Sequence, residues 1–408
     1  MNPTPRHLLS LLVLLLLAGC GARALNLPPF DFTDPTPPPT VDAVVFLIGD
    51  AGNAIDGRSP VLAELTADVE RWSRDLARDS AVSVVYLGDI IYPEGLRDIG
   101  DPGHAADSAR LWSQIRVVAG PAAREFNTWA WFLPGNHDWG QMQGDGGIGR
   151  IANLDSALVE ARDQGFNTTL VPAAAGSGPV VWDLRRNVRL VALDTHWFLQ
   201  ERAERAKDEF FARITEALVE AGDREVIFMA HHPYRSAGPH GALITTTRAL
   251  GLAYLLQKSG TLIQDLNSPI YRNFLTRLDG AIAASGRPPL IFAGGHDHSL
   301  QVFAGEGPTE PRYSLVSGGG SDASDVGQVP GLVFGASRPG YMMLVFRTDD
   351  SVALYVKAGS VDWLSCDQPD DLGREACMNE GAKAFEMVYS TTLLTAGGIE
   401  IPEAEPSR

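Results

Sequence analysis

With 408 residues, 45% of them hydrophobic, the chain is long enough to bury a sizeable core as a soluble globular protein. Fifty acidic residues against 33 basic ones give a formal net charge of -17, which disfavours nucleic acid and anionic membrane surfaces as partners. A small phosphorylated substrate stays open, because bound cations reverse the local field of a site.

Residues 1–19 read as a targeting segment. Arg6 supplies a short basic start, and Leu8 to Leu17 is a leucine-dominated run of signal-peptide length, too short to span a bilayer. Leu17-Ala18-Gly19-Cys20 follows at once and resembles a bacterial lipoprotein signal, in which the cysteine is lipidated and becomes the mature N-terminus. The plainer alternatives are an ordinary secretory signal or an uncleaved anchor. The resemblance implies an exported protein of the cell envelope, membrane-attached through lipid on Cys20. Gly21, where an acidic residue would favour retention at the inner membrane, points to the outer one. Residues 20–42 contain Pro28, Pro29, Pro35, Pro37, Pro38 and Pro39, and read as an extended tether.

The globular domain is expected over 43–358. Apolar runs at Ala43–Ile48, Val82–Leu87, Thr128–Leu133, Val188–Leu193, Glu225–Ala230 and Leu290–Ala293 read as buried strands. Helical periodicity separates several of them: Pro60–Ala77, with Ser59 as N-cap, and Arg202–Ala221. Alternating strand and helix predicts an α/β fold with substantial parallel pairing. Runs at Tyr313–Ser317, Tyr341–Phe346 and Val352–Val356 have little helix between them and predict added, more antiparallel strands. Residues 242–269 break the rhythm as an apolar insertion, which either shapes a pocket or adds a helix to the rim. Residues 359–408 form a C-terminal extension, where Cys366 and Cys377 are either one disulfide or two free thiols.

Six short segments carry metal-ligand side chains, and five of them follow strand-like runs: Gly49-Asp50, Gly88-Asp89-Ile90-Ile91-Tyr92, Gly135-Asn136-His137-Asp138, Ala230-His231-His232, Pro239-His240-Gly241 and Gly295-His296-Asp297-His298. Carboxylates and imidazoles at the C-terminal ends of strands converge on the crevice where α/β proteins bind ligands. His296 and His298, two apart on a short turn, can reach one locus. Together the segments read as a split site for two metal ions, and such sites carry hydrolytic chemistry, most often on phosphate esters.

This ordered set resembles the calcineurin-like metallophosphoesterases, and more narrowly the purple acid phosphatases of the tartrate-resistant type. The wider family has a His two residues after the first Asp. Here Gly52 stands there, and Tyr92 stands three residues after Asp89, the substitution pair of the purple acid phosphatases. Gly294-Gly295-His296-Asp297-His298-Ser299-Leu300-Gln301, Ser317-Gly318-Gly319-Gly320 and His240, nine residues after His231, match as well. The resemblance implies a four-layer sandwich, two mixed β-sheets flanked by helices. It also implies a dinuclear centre in which Asp89 bridges. Asp50, Tyr92 and His298 complete an Fe(III) position; Asn136, His231 and His296 complete one for a divalent Fe, Zn or Mn ion. Hard anionic donors suit the trivalent ion, and neutral imidazole and amide the divalent one. His137 and His240 contact the phosphate or protonate the leaving group, and a metal-bound hydroxide attacks phosphorus.

The implied activity is acid-phosphatase-like phosphomonoester hydrolysis on a small phosphorylated substrate. A phosphodiesterase or nucleotide hydrolase on the same site is the alternative, and a catalytically dead surface binding protein is the reading from another class. Two departures stand out: Ile90 where Asn is usual, which removes a polar group near the bridge, and Asp138 where Glu is common. Arg235 binds phosphate or forms a surface ion pair; Asp194 orients a ligand or caps a turn; His232 packs behind the site; His104 and His196 are structural.

Overall fold

The structure, a computed structural model, describes residues 41–55, 57–76, 80–141, 145–174, 176–185, 187–241, 266–359 and 385–394. The signal segment, Cys20, the tether up to residue 40, residues 242–265 of the expected insertion, Cys366 and Cys377 lie outside the described residues. No helix among the described residues is long and apolar enough to cross a membrane.

Two seven-stranded sheets form the centre. The first has the order β14(Glu386–Leu394), β13(Val352–Ala358), β12(Gly340–Arg347), β1(Val41–Ile48), β2(Ala81–Leu87), β3(Trp129–Leu133), β4(Thr168–Leu170). The second runs β11(Leu332–Ala336), β9(Leu300–Ala304), β10(Tyr313–Ser317), β8(Ile291–Gly294), β7(Glu225–Met229), β6(Val188–Ala192), β5(Val180–Arg185). Both are mixed. β1 through β4 pair in parallel, as do β6, β7, β8 and β10, while the outer strands pair antiparallel. Tyr313–Ser317 is therefore parallel to β8 on one side and antiparallel to β9 on the other. β14 falls in the stretch read from sequence as an extension, yet it completes the first sheet by pairing with β13.

Period-2 alternation explains the layers. On β1, Val44, Phe46 and Ile48 join a core shared with α1(Pro60–Asp75), α2(His104–Ile115) and α4(Asp145–Asp163), while Ala43, Val45 and Leu47 face the second sheet. On β7, Ile227 and Met229 point into that inter-sheet core, and Val226 and Phe228 meet α6(Glu204–Val219) and α7(Pro269–Ser285). A strand buried on both faces must read as a continuous apolar run, which is why these strands are visible in the sequence. Two helices carry their start signals: Ser59 and Ser268 each accept a bond from the third residue on, ahead of Pro60 and Pro269.

A buried polar knot pins α1 to the first sheet. Lys357 Nζ on β13 lies 3.0 and 3.1 Å from the two Asp68 oxygens and 2.5 Å from Glu64 Oε1. Tyr341 on β12 donates to Asp68 Oδ2 at 2.6 Å, and Arg71 donates to Oδ1 at 3.1 Å. Asp68 and Lys357 are 4% and 5% exposed, so each charge depends on the other.

Candidate metal centre

The loops after β1, β2 and β3 of one sheet and after β7 and β8 of the other supply the cluster. They carry Asp50, Asp89 with Tyr92, Asn136 with His137, His231, and His296 with His298. The structure brings all seven predicted ligands into one connected set. Tyr92 Oη lies 3.0 Å from Asp50 Oδ1, 3.1 Å from Asp89 Oδ2 and 3.1 Å from His298 Nε2. His231 Nε2 lies 2.8 Å from Asn136 Oδ1, 3.2 Å from His296 Nδ1 and 3.4 Å from Asp89 Oδ1. Each oxygen of Asp89 thus faces a different group. Asp89, His231 and His296, all buried, offer ligand atoms within 4.8 Å of one another.

The turns that deliver these side chains are unusual in backbone. Asp50, Asp89 and His296 have φ of 61°, 54° and 67°, the left-handed region. Hydrogen bonds hold them there: Asp50 Oδ2 accepts His296 N at 2.7 Å, and Asp89 Oδ1 accepts His137 N at 2.9 Å. Asp138 closes the frame, accepting from Ile90 N, Ile91 N and Gly135 N at 2.8–3.1 Å. Burial, and then the charge of Asp89, push the Asp138 carboxyl up to about 7. The Ile90 side chain belongs to the core beside α1 and supplies no polar group at the site.

Two glycines explain features of the sequence. A Cβ on Gly52 would sit 2.4 Å from the Ile90 carbonyl carbon, so the backbone of the Asp89 turn excludes the His that the wider pattern places there. Gly88, at φ 89°, lies where a Cβ would be 2.5 Å from His231 Nδ1. The two sheets approach this closely only without a side chain.

The donor chemistry fits cations. His231 Nδ1 donates to the Leu87 carbonyl at 2.9 Å, so Nε2 is the nitrogen that faces the cluster. There it meets Asn136 Oδ1 and Asp89 Oδ1, a setting that favours positive charge, a proton or a metal ion, at this nitrogen. Burial lowers the pKa of His231, but the charges of Asp89 and Asp50 overcome it and raise it on balance. Burial likewise opposes His298, yet the Asp322 and Asp50 carboxylates beside its ring push it up to about 11. For Tyr92, burial and then both carboxylates hold the phenol well above its usual value. The carboxylates of Asp50 and Asp89 are met here by positive charge on His231 and His298, a role that metal ions can take over.

His137 and His240 flank the cluster. The His137 ring lies 4.3 Å from the Tyr92 ring, with Nδ1 2.6 Å from the Pro93 carbonyl and Nε2 3.9 Å from Asp89 Oδ2. The His240 ring lies 4.3 Å from the His296 ring, and its backbone N donates to Asp297 Oδ1 at 3.1 Å. His232 is buried behind His231 and His296 and bonded to Thr195 Oγ1 at 2.8 Å. His104 and His196 bond backbone carbonyls, of Arg97 and Gln141. Arg235 is committed to Glu310 at 2.7 and 2.8 Å, so the ion pair holds its guanidinium.

Asp194 caps α5(Thr195–Leu199) through Trp197 N at 2.8 Å and accepts Trp139 Nε1 at 2.9 Å. It ties the Asn136 loop to the second sheet, a link invisible in sequence because Trp139 and Asp194 are 55 residues apart. Asp194→Ala removes the cap and strands the buried indole N–H, and should cost about 2–4 kcal/mol in urea unfolding. A loss below about 1 kcal/mol would show that the link is idle. Asp322, against His298 Nδ1, is the contact that sequence reading missed; a lone Asp in a Gly/Ser-rich loop carries only a turn signal.

No protein-family model and no curated protein matches the chain. Solved structures do. The chain is similar to GAP50, the anchor in the inner membrane complex of Plasmodium, at TM-score 0.53 and 13% identity over 89% of this chain and 91% of that one. It is similar to the purple acid phosphatase PPD1 from yellow lupin (Lupinus luteus) seeds, at TM-score 0.51 and 15% identity over 86% of this chain and 53% of that one. It is also similar to PhoD, at TM-score 0.54 and 11% identity over 91% and 73%. The chain thus spans about half the length of the lupin enzyme. At these identities the likeness is one of fold: two mixed β-sheets flanked by helices.

Proposed function

We propose that this chain is a metal-dependent phosphoester hydrolase, a phosphomonoesterase of purple acid phosphatase type. The supporting observation is the division of Asp89 between two donor groups. Oδ2 faces Tyr92, which meets Asp50 and His298, and Oδ1 faces His231, which meets Asn136 and His296. In this reading Asp50, Tyr92 and His298 hold Fe(III), Asn136, His231 and His296 hold a divalent ion, and Asp89 serves both. Bound there, the ions supply Lewis-acid polarisation of phosphoryl oxygens and lower the pKa of water.

The chain's own residues do the rest. Asp138 fixes the Asp89 and Asn136 turns against each other through three backbone N–H groups, so the bridging carboxylate and the amide are preorganised. With Nδ1 turned to the Pro93 carbonyl, His137 presents Nε2 toward the site, where in its protonated form it donates to the leaving oxygen. His240 stands against His296, on the other group of donors from Tyr92 and His137, and is the second candidate for that proton transfer.

The test is the full chain reconstituted with Fe(III) and Zn(II). It should absorb in the visible through the Tyr92 phenolate and hydrolyse an aryl phosphate monoester. Tyr92→Phe should lose the band while circular dichroism is unchanged. A colourless, inactive preparation after reconstitution would refute the reading, and faster turnover of a diester by a wide margin would move it to the phosphodiesterase alternative. The likeness to GAP50, an anchor, along 91% of its length favours a second reading, a binding protein on this fold. Asn136→Ala separates the two: full biological function without turnover supports the binding protein.

A further inference from the structure

We infer that Asp322 is the positioning residue for His298, and so determines one of the two proposed metal positions, the one shared with Asp50 and Tyr92. The inference rests on the metal-centre reading above and assigns a residue that reading does not contain. His298 has two ring nitrogens. Nε2 faces the cluster, 3.1 Å from Tyr92 Oη and 3.5 Å from Asp50 Oδ1. Nδ1 faces away, against Asp322 Oδ1. A carboxylate at Nδ1 keeps a proton on that nitrogen, fixes the plane of the ring and aims Nε2 inward, where a bound cation would take its lone pair.

The segment that carries Asp322 is built around this pair of ligands. Gly318 N donates to the Ser299 carbonyl at 3.0 Å, Gly320 N to the Gly49 carbonyl at 3.0 Å, and Ser324 N to the His298 carbonyl at 2.5 Å. Ser321 Oγ donates to the Asp50 carbonyl at 2.6 Å. Residues 318–324 therefore grip the chain at Gly49–Asp50 and at His298–Ser299. The other group has a different support: the outward nitrogen of His231 is held by a backbone carbonyl, that of Leu87, at 2.9 Å. A backbone acceptor survives any side-chain substitution, whereas the acceptor of His298 does not. The two positions should accordingly separate when Asp322 is changed.

The probe is Zn(II), titrated calorimetrically into the metal-stripped full-length chain, with circular dichroism as the check on folding. The wild type should take up about two ions per chain. Asp322→Ala should weaken one binding step by about 10–100-fold and leave the other unchanged. Asp322→Asn should keep both steps, since its amide oxygen accepts the same Nδ1–H. Both steps intact in the alanine variant would overturn the inference. So would an equal weakening of both steps, which marks a general structural role, or an asparagine variant as weak as alanine. A wild type that binds no zinc overturns the metal-centre reading itself, and that failure is seen before any variant is made.

Discussion

In the proposed hydrolase, Asp89→Asn should cost about a thousandfold or more in phosphoester turnover, the rate equivalent of losing several kcal/mol of charge stabilisation. Asp89 is 2% exposed and offers one oxygen to each donor group. Asparagine keeps the shape but has a single oxygen, so whichever way the amide turns, one group gains an N–H where an acceptor stood. The backbone bond from His137 N to Oδ1 at 2.9 Å favours keeping the oxygen on the His231 side. The Tyr92 side is then the one that loses its anion. Burial raises the pKa of Asp89, but the His231, His137 and His298 charges outweigh it, so the native group is an anion. Two measurements report the change: initial rate on an aryl phosphate, and the thermal upshift on adding metal. At a thousandfold excess over its dissociation constant a metal adds about 4 kcal/mol of stability, and most of that shift should vanish. A variant with normal metal content and rate would remove Asp89 from the centre.

Asp68→Ala should be the most damaging substitution away from the site, at about 3–5 kcal/mol, a large share of the stability of an ordinary domain. It takes away the carboxylate that meets Lys357 Nζ through both oxygens and also accepts from Tyr341. Burial lowers the pKa of Lys357, but Asp68 and Glu64 reverse this, so the ammonium stays charged in a place that is 5% exposed. Lys357→Met should cost less, because Asp68 keeps its bonds from Arg71 and Tyr341 and the thioether fills the apolar space. Urea unfolding of the two variants tests the asymmetry. Equal losses would mean that the charge pair, rather than an ammonium left with Glu64 alone, sets the energy.

The parts of this fold that show in the sequence are those whose burial leaves no choice of residue. β1, β2, β6 and β7 are apolar on both faces because a core lies on each side. β14 escapes notice since its run Tyr389-Ser390-Thr391-Thr392 is polar and only its pairing with β13 makes it a strand. β9 is short and starts inside the stretch after His298, so its residues read as the tail of a motif. α4 hides because it contains Gly147 and Gly149 and lacks a clean apolar stripe. At the site, the side chains that meet one another sit directly after strands and can be found by position. The partners that orient them cannot: Asp138 and Asp194 can be named from sequence, but Asp138 acts through backbone N–H groups of another turn, Asp194 through an indole of another loop, and Asp322 from a glycine-rich segment. Such partners are chosen by three-dimensional proximity, which carries no periodicity.

The left-handed turns at Asp50, Asp89 and His296 bear on how a lineage with this fold changes over time. Each holds a side chain where glycine would be at ease, at about 1–2 kcal/mol apiece for an ordinary residue and less for Asp. Under the proposed function, selection for chemistry would keep these residues against that conformational pressure. Once a descendant serves only to hold a partner, nothing opposes relaxation, and abandonment of catalysis runs downhill in backbone energy. Its first trace should be glycine or asparagine at these three positions while the inter-sheet core stays intact, a pattern that the sequences of same-fold proteins assayed for turnover will either display or contradict.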